Sequence, residues 1–344
     1  MPGNRLFYGF LLAVAVLAGP ACKKYLPDDL DYLSEKAVFT TTLYQPVLGR
    51  TTFYSNVFNA GQSSLPLNFK IVNMRTRAGN AVDLADSSVE VLVWKKGYTG
   101  LEKTLEEITQ KRKPEKHPLW EIRPHSGEFV IWAEATNQQM VSQPDSGYFF
   151  DVDVSNSGGR RVFKNLILKP LSQRAYEPNQ FDPVTGQVKK DNNGNILHIN
   201  PTVNNITGDL TGKALTADQV RVYFRKKGEG NSLSFQFLDK DSLPIDPAKF
   251  NRTVLDSVVH GFNVKKTATS LAFDVAYPIP LIRLKTRYTN NDGSQAAVAF
   301  TYDRLGLGGI RSTSSLSFNF RIFEKGDWEI VFHFYKDNPR FRDE

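Results

Sequence analysis

The sequence predicts a mainly β protein, built from antiparallel β-sandwich modules of immunoglobulin-like type with one or two short helices. Three observations carry that prediction. Apolar and polar residues alternate in many short runs from Phe39 onward, the pattern of strands with one buried face. Gly, Asn, Asp and Pro separate these runs at turn spacing. A single stretch, Leu101 to Arg112, sets apolar residues (Leu101, Leu105, Ile108) at the i, i+4, i+7 spacing of one helix face, with Pro114 marking a stop soon after.

Taken in order, residues 1–21 read as an export signal: Arg5, an apolar run from Leu6 to Ala18, then the small-residue site Gly19-Pro20-Ala21 before Cys22. The run is too short to span a bilayer. Cys22 is the only cysteine, and its place at the processing boundary suits a lipidated N-terminus, although Gly19 stands where a standard lipobox has leucine. Acyl chains on Cys22 would tether the protein to a membrane. Residues 22–38, with Lys23-Lys24-Tyr25-Leu26-Pro27 and Asp28-Asp29-Leu30-Asp31, form an aperiodic polar tether.

A first β-rich domain is expected over 39–170. Its strands are Val89 to Trp94, Phe129 to Trp132 and Tyr148 to Val154, the last pairing with Arg161 to Leu168 across Asn156-Ser157-Gly158-Gly159, whose glycines suit a tight turn at positive φ. Residues 171–218 are rich in Pro, Asn and Gly, and are expected to form a linker or long excursion with little core. A second β-rich domain follows over 219–344. Here Val220 to Phe224 is expected to turn through Gly228-Glu229-Gly230-Asn231 and return as Leu233 to Leu238. Ser270 to Ala276, Ala296 to Tyr302, Leu316 to Ile322 and Trp328 to Phe334 complete it.

Composition narrows the partners. The net charge of +7 draws attention to anionic surfaces, but basic residues are interspersed with acids, and neither a helix-turn-helix nor an RNA-binding signature occurs. Nucleic acid is therefore not an expected partner, whereas an acidic polysaccharide or lipopolysaccharide is a natural counter-charge. After Cys22 no thiol remains for a disulfide or a thiolate metal site.

No catalytic signature is present: GxSxG, HExxH, GxxxxGK[ST] and GxGxxG are all missing, and the five histidines lie far apart. No catalytic residue, metal ligand or cofactor is assigned. Weak binding candidates remain. Trp94 falls with Glu90 and Leu92 opposite Val89, Val91 and Val93, and Trp132 shares a face with Val130 and Glu128; either ring could stack on a sugar or simply fill a core. Alternation also places Asp151 and Asp153 on one face, roughly 7 Å apart. That spacing is near the separation of a glycosidase acid and its partner, but it also describes an ordinary solvated face.

The start Cys22-Lys23-Lys24-Tyr25-Leu26-Pro27 resembles the mature N-terminus of Bacteroidetes-type lipoproteins. Tyr44-Gln45-Pro46-Val47-Leu48-Gly49-Arg50-Thr51-Thr52, Pro144-Asp145-Ser146-Gly147-Tyr148, Ser155 to Arg161 and Tyr302 to Gly309 resemble an uncharacterised family of such proteins, domain of unknown function 5007. The resemblance implies a setting beside a TonB-dependent transporter and its lid lipoprotein, and it transfers no binding residue. The resulting expectation is a non-enzymatic outer-membrane lipoprotein, facing periplasm or cell surface, that binds a glycan or serves as an accessory subunit of an uptake system. A structural cell-envelope interaction protein is the alternative, and a glycoside hydrolase using Asp151 and Asp153 comes third.

Overall fold

The computed structural model describes residues 30–142 and 147–343, so Cys22, the export segment and part of the Pro144–Tyr148 motif lie outside the described residues. The fold is mainly β. The strands of the first half are β1 (Val38–Phe39), β2 (Leu43–Tyr44), β3 (Thr52–Tyr54), β4 (Phe58–Asn59), β5 (Asn68–Thr76) and β6 (Ser88–Trp94). A short helix, α1 (Leu105–Gln110), precedes β7 (Arg112–Pro118), β8 (Trp120–Ile122), β9 (Phe129–Ile131), β10 (Tyr148–Asn156) and β11 (Gly159–Leu168). The order β2-β11-β10-β5 forms one sheet and β3-β9-β8 a second. Their inner faces meet through Tyr44, Trp120, Phe129 and Phe150, with the Trp120 and Phe129 rings stacked 5.0 Å apart.

The second half begins with β12 (Tyr176–Glu177), β13 (Thr202–Asn204), β14 (Arg221–Gly228), β15 (Ser232–Leu238) and β16 (Pro244–Ile245). It continues with β17 (Gly261–Lys266), β18 (Leu271–Val275), β19 (Ala296–Leu305), β20 (Arg311–Ile322) and β21 (Asp327–His333). One sheet runs β14-β21-β15-β18-β17, and β20 gathers β12, β13 and β19 into the other. Phe235 and Phe237 of the first meet Phe300 of the second, and Phe332 meets Phe318, closing a separate apolar core.

Several expectations need correction. The Gly158-Gly159 turn does join β10 to β11, but neither glycine adopts positive φ. Gly158 serves close approach instead, since a Cβ there would lie 1.8 Å from the Asp31 carbonyl oxygen. The end of the expected tether is docked: Tyr32 and Ser34 donate their N–H groups to the Ser64 and Ser63 hydroxyls, and Ala37 is buried. The helix is shorter than its periodicity implies. Thr104 caps it by accepting from the Glu107 N–H, and of its predicted face only Ile108 is buried while Leu101 is exposed. Residues 171–218 do contribute core, with Ile206 and Leu215 buried and Tyr176 stacked on Phe224 at 4.2 Å.

The largest difference concerns β14 and β15. They run out and back, yet they do not pair, because β21 lies between them, antiparallel to β14 and parallel to β15. Gly228 to Asn231 must therefore arch over the start of β21. The Asp327 carboxylate fastens that arch by accepting from the N–H groups of Gly230 and Ser232 and from the Ser232 hydroxyl. This arrangement also explains Val331, which faces outward but is fully buried between its neighbours Tyr223 and Gln236.

Candidate binding site

Of the four tryptophans, Trp120, Trp132 and Trp328 are buried, and only Trp94 is partly exposed. Its strand explains why. β6 and β7 form a two-stranded ribbon, and Val91 on the inner face packs against Val130 and Trp132. Alternation then turns Glu90, Leu92 and Trp94 outward, opposite Lys116, Pro114 and Arg112. Leu92 is 59% exposed, so the outer face is an apolar ridge with cationic flanks. Pro114 and Pro118 are tolerated because β7 pairs only with β6.

Trp132 supports this ribbon from beneath. It donates its indole N–H to Glu121 at 3.0 Å, and its ring lies 4.6 Å from that of His117. His117 is itself held between two carboxylates, Glu121 at 2.8 Å and Glu115 at 3.0 Å. Burial lowers the proton affinity of the imidazole, but the two carboxylates outweigh it and raise the pKa above its ordinary value.

At the open end of the ribbon the two halves meet. The Arg112 guanidinium lies 5.0 Å from the centre of the Trp94 ring and donates to the Tyr277 carbonyl at 3.0 Å. Tyr98 follows Trp94 at 5.8 Å and donates its hydroxyl to His260 Nδ1, while His260 Nε2 donates to the Glu102 carbonyl at 2.7 Å. His260 stacks on Tyr288, ring centres 4.6 Å apart. Tyr98, His260 and Tyr288 border a small crevice lined further by Pro278, Ile279 and Pro280. Glu102 is buried here; burial raises its pKa, yet the Lys111 ammonium and the Thr99 N–H hold it down at about 2.

Asp151 and Asp153 are occupied elsewhere. Asp151 is 4% exposed and accepts from the Asn73 side chain (2.9 Å), the Asn165 N–H (2.8 Å) and Arg75 (3.4 Å). Burial acts to raise its pKa, and these donors more than reverse that. Asp153 makes a two-pronged ion pair with Arg160 at 2.6 and 2.8 Å. The alternation placed both carboxylates correctly on one strand, but each serves its neighbours. Among the described residues no group of three or more His, Cys, Asp and Glu side chains could hold a metal ion.

Sequence reasoning pointed to Trp94 but missed Arg112, Tyr98, His260 and Tyr288. The four come from four separate stretches of chain, and no local pattern links them. A family model described as Domain of unknown function (DUF5007) matches residues 58–343. No curated protein and no solved structure matches the chain.

Proposed function

We propose, for a chain that belongs to the DUF5007 family, the role of a non-enzymatic, lipid-anchored outer-membrane protein that binds a glycan as an accessory subunit of a TonB-dependent uptake system. The observation that carries this reading is Trp94. It is the single tryptophan left partly exposed, on a ribbon whose inner face is fixed by Val91, Val130 and Trp132. A partly exposed indole beside Leu92 and Pro114, with the Arg112 guanidinium 5.0 Å from its centre, joins an apolar ring on which the carbon face of a sugar stacks to a cation that suits an acidic sugar. The anchor is assigned to Cys22. No helix among the described residues is long and apolar enough to cross a membrane.

The test starts from the full lipidated protein, purified from its own membranes in mild detergent and passed over a panel of immobilised polysaccharides. Retention on at least one glycan, weakened about tenfold by Trp94→Ala, is expected; tenfold corresponds to about 1.4 kcal/mol. Equal retention of the variant removes Trp94 from the site, and no retention on any glycan ends the binding reading. Co-purification of a TonB-dependent transporter tests the uptake assignment separately. Cys22→Ser is expected to move the protein from the membrane to the soluble fraction.

A further inference from the structure

We infer that the junction of the two halves holds a second site, for a single oxyanion group of the carboxylate, sulfate or phosphate type, where Arg50, Arg174 and Arg321 converge. The inference is independent of Trp94. Arg50 ends the Tyr44–Arg50 part of one family-like segment, and the local backbone places it with care. Val47 bridges in parallel to Leu171, the Leu48 N–H donates to the Leu171 carbonyl at 3.1 Å, and the Gly49 N–H donates to Ala135 at 2.8 Å. Gly49 sits at φ +77°, the left-handed region that favours glycine.

The turn delivers the Arg50 guanidinium onto the Phe323 ring, 3.6 Å from its centre. Glu177 and Arg321 face each other across the β12–β20 pairing, and Arg174 lies three residues before Glu177. The three guanidinium groups thus surround one carboxylate, at 2.9 Å for Arg50, 3.7 Å for Arg174 and 4.0 Å for Arg321. Only the first of these distances is a hydrogen bond.

The charges do not balance. Arginine stays protonated in proteins, so three cations share one anion in a setting where Arg50 and Arg174 side chains are only 13% and 19% exposed. Partly buried charge is costly unless paired and hydrogen-bonded. Nε and Nη2 of Arg50 and Nε of Arg174 are buried and meet no acceptor among the described residues. Arg321 Nε, in contrast, is satisfied by the Ser294 carbonyl. The shortfall is of acceptors and of negative charge together, and an oxyanion supplies both. The planar fork of arginine matches such groups with paired N–H donors.

The experiment measures thermal unfolding of the full protein in phosphate, sulfate, oligogalacturonate and chloride at matched ionic strength. At least one oxyanion is expected to raise Tm above the chloride value, with a saturating concentration dependence. Arg174→Gln leaves the Arg50–Glu177 pair intact and is expected to shift the midpoint of that response about tenfold to higher concentration. Arg174→Lys keeps the charge but loses the fork, so it tests the same point if the first variant fails to fold. A response to phosphate alone identifies a free ion as the ligand, and one to oligogalacturonate identifies a glycan-borne carboxylate. Oxyanion curves superimposing on chloride, or unchanged in both Arg174 variants, overturn the inference and leave water as the partner of those donors.

Discussion

Asp151 shows how a residue picked out for chemistry can be a structural fastener. Two irregularities flank it, one in β5 and one in β11, and in each an asparagine (Asn73, Asn165) adopts positive φ. The carboxylate binds both asparagines, so it fixes the bulges that make room for it. Asp151→Ala is expected to cost about 2–4 kcal/mol in urea denaturation, because the Asn165 N–H and the Asn73 side-chain amide lose their acceptor inside the sheet. A depressed carboxyl pKa adds stability above its unfolded value, near 3.9, and that stability fades as pH falls through the folded value. The Asp151→Ala variant should accordingly lose less stability on acidification than the native chain. His117 has the opposite sign. Its pKa is raised, so its contribution is complete below about 6.5 and is lost as pH rises through the folded value. An NMR titration of His117 should give an apparent pKa above 6.5, and Glu121→Gln should lower it.

At the scale of elements, legibility followed regularity. β6, β10 and β19 keep period two over enough residues to be read directly, and β21 does so apart from Val331. β5 was not read, because the bulge at Asn73 breaks its alternation between Ile71 and Met74. β7 was not read either: Arg112-Lys113-Pro114-Glu115-Lys116-His117-Pro118 has no apolar face, and its strand form comes entirely from pairing with β6. The β14–β15 turn was legible as a turn but not as an arch over β21, since what lies beneath it is supplied by a strand nearly a hundred residues away, on the scale of long-range pairing. That arch gives a sharp test. A Cβ on Gly230 would come 2.4 Å from Asp327 Oδ1. Gly230→Ala should therefore destabilise by about 1–3 kcal/mol, whereas Gly186→Ala, where a Cβ meets nothing, should lose only what its positive φ costs.

For the molecule as a whole, the two apolar cores were legible in outline and the contacts between the halves were not. Composition separates the β-rich stretches on either side of the 171–218 segment, but Tyr98, Arg112, His260 and Tyr288 announce nothing locally. The junction rests on individual contacts such as Arg112 to Tyr277, His260 to Glu102 and Arg50 on Phe323, not on a shared core. Regions held this way open before cores do. Hydrogen exchange should therefore be faster in 97–111 and 282–289 than in β10 or β20. Lys111→Met, which strips Glu102 of its cation, should speed exchange in 97–111 further and leave β20 unchanged.

The place of β21 also sets an order of events in the cell. A chain leaves the ribosome from its N-terminus, so β14 and β15 emerge with a gap between them that only a much later strand can fill. Until Asp327–His333 follows, Phe237 lacks the Phe332 ring it stacks against, and two open strand edges are available to wrong partners. The β14-β21-β15 pairing can therefore complete only once β21 is present. A chain that ends between β15 and β21 is expected to carry an unfinished sheet with open edges, the kind of surface that aggregates.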